Sequence, residues 1–386
     1  MKTRIISLLC CATVFGCADS NSIISGPQLV SAAPRRASLT QADGTPVMIG
    51  LANARGLAWG PEGALYVVEA GRGGKGPCLN TLGQTVCYGA TGAVSRLWHG
   101  HQERVISDLP SWVVTSNKSG QSQGPAAISF NGLGNGYVTI ALEADPTKRV
   151  GELKQMATLV HLLPSALSPG RGEGRDGPDW EIAADLGQYE LDANPDCGVK
   201  DSNPFGVLAV PGGALVTDAS GNSLVRVDKN GDVSTVVAFP SKNSTAGEGC
   251  PPNPGRDFVP TALAQGPDGA TYIGHLNGLP IQMGTSTIWR LEPGGVPQVY
   301  CSGFTWIIAM AFDRDGNIYA LQYSVGPMTN SGGSLLKVAP DCSRQTLITG
   351  LKSAAGVAVD DDGNVYVSVV NGANNNAESQ VRRFTP

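Results

Sequence analysis

With 386 residues, 41% of them apolar, the chain is long enough for a large core, and its net charge of −5 without a basic run excludes nucleic acid as a partner. Its 51 glycines and 26 prolines exceed ordinary usage. They fall at regular turns between apolar runs, which excludes disorder and favours many short strands.

The chain begins with a basic start, Lys2 and Arg4, and an apolar run from Ile5 to Phe15 that is too short to span a bilayer. It ends in Val14-Phe15-Gly16-Cys17, which resembles the lipobox of bacterial lipoproteins, so residues 1–17 read as a signal peptide with Cys17 as the lipidated residue. A plain cleaved leader with a coincidental cysteine is the competing reading. Residues 18–44 are polar and read as a flexible tether, and residues 45–386 as the folded domain. Contact with a membrane is expected only through the lipid anchor, and the expected location is the periplasm or outer cell envelope. In that oxidising setting the remaining cysteines, Cys78, Cys87, Cys197, Cys250, Cys301 and Cys342, read as disulfides. Cys78 with Cys87, closing a short Gly-rich loop, is the one pair the spacing selects. Zinc is disfavoured because no Cys-x-x-Cys pair or nearby histidine is present.

A hairpin signature recurs along the domain. In Thr261 to Ile273 an apolar strand enters a Pro-Asp-Gly turn and an alternating strand leaves it. Related turns carry glycines at 63, 134, 213, 269, 316 and 363, and the last separations are 47 residues. A second hairpin follows each one, as at Ser223 to Val237. Four antiparallel strands per repeat, six times over, predict an all-β fold, a six-bladed β-propeller. The chain stops after a third strand, Gln380 to Phe384, while Pro46 to Leu51 resembles the fourth strands of other repeats. The N-terminal strand is therefore expected to complete the last blade and close the ring. Insertions at 71–89, 110–124, 142–156 and 164–179, and before blades three and four, are expected as loops on one face, where binding usually lives.

Ordered segments over residues 46–386 resemble the ScyD/ScyE family. They are Ala54-Arg-Gly-Leu-Ala with Glu69-Ala-Gly-Arg-Gly-Gly, Thr91-Gly-Ala-Val-Ser-Arg, Asn194-Pro-Asp with Asp201-Ser-Asn-Pro-Phe-Gly206, Val259-Pro-Thr, and Gly303-Phe-Thr. The resemblance implies an exported, NHL-like propeller and carries no established activity. His275 and Ala309 stand where that pattern has an acidic residue.

In a propeller the ends of the second strands and the residues before the first strands approach the channel at one face. Counting from each turn glycine, the former are Glu69, Ile140, Asp218, His275, Gln322 and Val369; the latter include Arg55, Asn203 and Thr305. Glu69, Asn203, Asp218, His275 and Gln322 are accordingly the expected ligand-binding residues. Asn203-Pro-Phe-Gly206 with Thr217-Asp218 is similar to the Asn…Asp arrangement with which gluconolactonase/regucalcin-type propellers hold a divalent cation. Glu69 is the third ligand which that resemblance suggests, and Ca²⁺ the cation suited to such oxygens. In the plainer reading Asn203 caps a turn and Asp218 bonds backbone amides. Asp313-Arg-Asp-Gly-Asn317 and Asp360-Asp-Asp-Gly-Asn364 lack the distal glutamate of a calcium loop and read as turns. Two functions remain open: a non-catalytic module binding a small molecule or exported protein through its loop face, and a metal-dependent hydrolase or lactonase at the channel mouth. No catalytic set can be assigned from the sequence.

Overall fold

The computed structural model describes residues 38–385 apart from 82, 116–121, 133–134, 168–177, 246, 248, 327–330 and 372–377. The leader with Cys17, most of the tether and the glycine at 134 lie outside the described residues.

The expected turn chemistry builds the hairpins. Asp313 Oδ1 accepts the backbone N–H of Asp315 at 3.1 Å and of Asn317 at 2.8 Å, and Asp360 Oδ1 accepts those of Asp362 and Asn364 at the same distances. Gly316 and Gly363 follow at φ 81° and 78°, a conformation closed to most side chains. Asp313 and Asp360 are thus held by the turns themselves.

Strands leaving the turns assemble into six sheets, one per blade, each antiparallel through its four-strand core. The second strands of blades one, two, three and five, Leu65–Glu69, Gly136–Ile140, Gly213–Asp218 and Ile318–Gln322, are buried at every position. Both faces of each lie against neighbouring blades, which is why these segments read as continuous apolar runs. Hydroxyls stitch blade to blade. Thr139 Oγ1 donates to Phe205 O at 2.7 Å, Thr217 Oγ1 to Thr261 O at 3.1 Å, and Thr261 Oγ1 to Ile307 O at 2.6 Å. Ser368 Oγ closes the circuit from blade six to blade one, donating to Arg55 O at 2.7 Å. Blades approach so closely here that a β-carbon on Gly356 would stand 2.4 Å from Arg55 O.

The ring is closed by the N-terminal strand. Thr45–Ala52 is the outermost strand of blade six, antiparallel to Glu378–Phe384, with Thr45 opposite Arg383 and Met48 opposite Val381. Met48 and Leu51 are essentially fully buried. Each contributes about 1.5–3 kcal/mol by burial, so closure is apolar in origin. Leu39–Thr40 adds a parallel strand to the outer edge of blade five, opposite Ile348 and Thr349. Leu39 to Asp43, within the stretch read as tether, thus form a strand and a short helical turn.

The 71–89 and 110–124 insertions are not simply loops. In blade one the third and fourth strands lengthen to Gln84–Trp98 and His101–Val114, and Cys78–Thr81 pairs with the extension. The β-branched and aromatic residues of Thr85-Val-Cys-Tyr88 and Trp112-Val-Val114 favour a pleated surface over a loop. Disulfides join Cys78 to Cys87, Cys197 to Cys250 and Cys301 to Cys342. The first lies within the blade-one extension, the second joins the loops before and after blade three, and the third links blades four and five. No helix among the described residues is long and apolar enough to cross a membrane.

Candidate functional site

All five residues singled out at the ends of second strands or before first strands are buried, at 0–8% exposure. Four of them turn their polar atoms back onto the chain entering their blades, while the side-chain oxygen of Asn203 has no partner. Glu69 Oε2 accepts from Ala52 N at 2.6 Å and Arg104 Nη2 at 2.7 Å, while Oε1 accepts from Ser95 Oγ at 2.7 Å and Arg104 Nε at 3.2 Å. Asp218 Oδ1 accepts from Asn203 N at 2.7 Å and Gly221 N at 2.9 Å, and Oδ2 from Ser202 Oγ at 2.6 Å. Gln322 accepts from Thr305 N at 2.6 Å and donates to Ser334 Oγ at 2.8 Å. His275 bonds Phe258 O through Nδ1 at 3.1 Å and Thr287 Oγ1 through Nε2 at 2.8 Å, and stacks on the Phe258 ring at 3.9 Å. One repeat position thus performs one task in four blades: it clasps the end of the second strand to the chain entering the first. Burial holds the His275 imidazole neutral, with its pKa pushed down to about 4.

The cation set suggested by resemblance, Glu69 with Asn203 and Asp218, does not fit. Both Glu69 oxygens are taken by Arg104 and Ser95 of blade one and by the backbone amide of Ala52 at the end of the outer strand of blade six, and Arg104 neutralises its charge. Among the described residues no three His, Cys, Asp or Glu side chains form a metal-holding group by themselves.

The channel is lined by the first strands of all six blades, including Leu57, Ile128, Val207, Leu263, Met310 and Val357. Its cavity of about 60 Å³ has room for a few water molecules. Ala309, where the family pattern carries an acid, is part of this apolar wall.

Polar groups with unspent bonding capacity gather instead around the entry to the channel. Arg55, half-buried at the start of blade one, donates one hydrogen bond, Nη2 to Ser122 O at 3.0 Å. Burial lowers its pKa, and the neighbouring Tyr323 and Glu143 act against that shift without an ion pair to either. Trp306, held at φ 50° before the first strand of blade five, is 8% exposed, and its indole N–H has no acceptor. Its ring lies 6.3 Å from that of Tyr323. Glu143, at φ 59° beyond the second strand of blade two, accepts from Gln123 Nε2 at 2.5 Å, and burial raises its pKa. Arg55 was visible from its position in the repeat. Glu143, Trp306 and Tyr323 were not, because each lies one to three residues outside the strand-end positions that the count selects.

A second polar group occupies the junction between blades two and three, where the helix Leu186–Ala193 leads to blade three. Glu190 is 2% exposed, and the nearby charges of Asp218, Asp196 and Asp201 join burial in driving its pKa far above the ordinary carboxylate range. Burial and the charges of Asp218 and Glu143 likewise raise the pKa of Asp201.

Neither a family model nor a curated protein matches the sequence. Solved structures do match in fold. A structural genomics protein of unknown function from Bacteroides thetaiotaomicron is 11% identical with a TM-score of 0.50, over 90% of this chain and 75% of that one. The calcium-binding protein regucalcin from Agrobacterium tumefaciens is 11% identical with a TM-score of 0.49, over 90% of this chain and 96% of its own. A gluconolactonase from Xanthomonas campestris is 10% identical with a TM-score of 0.46, over 88% and 89%. At these identities the likeness is one of architecture, and the chain is a six-bladed propeller whose buried polar groups differ from blade to blade.

Proposed function

We propose that the protein is an exported, ScyD/ScyE-like propeller that binds a small anionic ligand at its channel mouth, without chemistry of its own. The observation that carries this reading is the indole N–H of Trp306, a buried donor with no acceptor, whose ring lies 6.3 Å from that of Tyr323, itself a neighbour of Arg55. An unmet buried donor costs about 1–3 kcal/mol, which an acceptor on a ligand recovers. Arg55 keeps most of its five N–H donors free, the arrangement that suits a carboxylate. The apolar channel below offers a small pocket and no nucleophile or general base. The hydrolase reading loses support because Glu69, its third ligand, is already neutralised by Arg104. Lipidation at Cys17 is part of the same proposal, and three disulfides agree with an oxidising compartment.

The test is a thermal-shift screen of small mono- and dicarboxylates, repeated on Arg55→Ala and Trp306→Phe. The phenylalanine keeps a ring and removes the N–H. A shift that both variants lose supports the proposal. No shift with any anion overturns it in favour of a protein partner.

A further inference from the structure

Charge is sorted between the two faces of the ring. Connections from second to third strands, and from blade to blade, leave at the channel mouth. Turns between first and second strands, and between third and fourth, lie at the opposite face. Among the described residues those turns expose Asp232, Asp268, Glu292, Asp315, Asp341, Asp361 and Asp362 against two cations, Lys229 and Arg314. The mouth connections reverse the balance. They expose Arg72, Lys75, Lys148, Lys154, Lys200, Lys242 and Lys352 against Glu152 and Asp192. No ion pair among the described residues involves Arg72, Lys75, Lys148, Lys154 or Lys200.

The mouth face also displays aliphatic side chains. Val150, Val199, Leu279, Met283 and Val325, on connections of blades two to five, are 42–69% exposed. Buried neighbours hold them outward. Arg149 is buried and pairs with Asp185 at 2.8 Å, and Leu153 is buried, which leaves Lys148, Val150 and Lys154 on the outside. In blade four Asn277 Nδ2 donates to Thr285 Oγ1 at 2.8 Å, and Thr285 Oγ1 to Gln282 O at 2.8 Å. Gly284 N donates to Thr305 Oγ1 at 2.9 Å, so this loop bonds inward while Leu279 and Met283 project. Lysines neighbour the valines, Lys148 two residues before Val150 and Lys200 directly after Val199.

We propose that the mouth face docks on an anionic lipid bilayer, with its aliphatic tips in the headgroup layer and its lysines against lipid phosphates. Lysine beside exposed aliphatics is the composition that settles on charged bilayers. A protein partner fits less well. Protein interfaces favour aromatic residues and arginine and are depleted in lysine, and no aromatic residue among the described ones is exposed. The acidic turns of the opposite face would be repelled, so charge alone sets the orientation. The contact uses neither Arg55 nor Trp306, so failure of this proposal leaves the mouth-ligand reading standing, and the reverse.

The experiment is co-sedimentation with lipid vesicles, using the full-length chain with Cys17→Ser so that no acyl anchor can form. Vesicles of phosphatidylcholine alone are compared with vesicles that also contain phosphatidylglycerol. Binding should be about 10-fold or more tighter to the anionic vesicles and should weaken as salt rises. Lys75→Ala, Lys148→Ala and Lys154→Ala combined should weaken it about 100-fold, and Leu279→Ser with Met283→Ser about 10-fold. All five side chains are exposed, so melting temperatures should match that of the parent. Lys229→Ala, on the opposite face, should bind as the parent does. Equal binding to both vesicles, unchanged binding by both mouth variants, or loss in Lys229→Ala would each overturn the proposal. Absence of vesicle binding would overturn it in favour of an acidic protein partner.

Discussion

Glu69 in blade one and Asp218 in blade three occupy the same place in their repeats and differ in their company. Both are buried, and both accept a backbone N–H from the chain entering their blade. Glu69 has a two-pronged bond to Arg104, a residue of the fourth strand. Asp218 has no cationic partner among the described residues, and burial together with its charge pushes Glu190 and Asp201 toward their neutral forms. A position in a repeat therefore dictates a geometric task, while the neighbouring strands and insertions decide whether the charge is closed or left open.

Removing the closed charge's partner should have the largest effect. Arg104→Ala leaves Glu69 buried and unpaired and is expected to cost about 3–4 kcal/mol in denaturant unfolding. A loss below about 1 kcal/mol would mean that water replaces the guanidinium and that blade one is no more closed than blade three.

Blade four extends the contrast to a neutral base. The folded pKa of His275, about 4, lies below its unfolded value of 6.5. Its stabilising contribution is complete above pH 6.5 and is lost as pH falls toward 4, because the unfolded chain binds the proton more readily. Over that window the stability difference between wild type and His275→Asn should shrink by about 2–3 kcal/mol. Parallel pH curves for the two proteins would place the imidazole in water.

A direct comparison comes next. Glu69→Gln should cost about 2 kcal/mol more than Asp218→Asn, since the first breaks a charge pair and the second relieves a repulsion. Equal losses would erase the distinction. The smallest effect belongs to Gln322→Met, which leaves Thr305 N and Ser334 without their amide partners at a cost of about 1 kcal/mol.

The fold was legible because its signals are local and repeated. Asp-x-x-Gly turns, alternating strands and an orphan strand at each end of the domain specify hairpins and closure without knowledge of packing. The clasp residues were found by counting, but a sequence does not say whether a polar atom at a strand end faces the channel or its own blade. The junction was hidden for another reason. Glu190 lies on a helix inserted between repeats, outside any register, and only the folded chain brings it near Asp218. The blade-one insertion misled in the same way, since its glycines suggested a loop where valines and aromatics built strand.

The outer strand of blade six also sets an order of events during biosynthesis. Gly44 O meets the Arg382 guanidinium across 338 residues of chain. The residues that close the ring are thus among the first of the domain to be made, and their partners among the last. Until the final strand arrives, Met48 and Leu51 lack their seat, and each completed blade waits in an open arc. A chain that stalls a few residues early would expose an apolar strand at one end and an unpaired edge at the other, the state in which quality-control proteases recognise it.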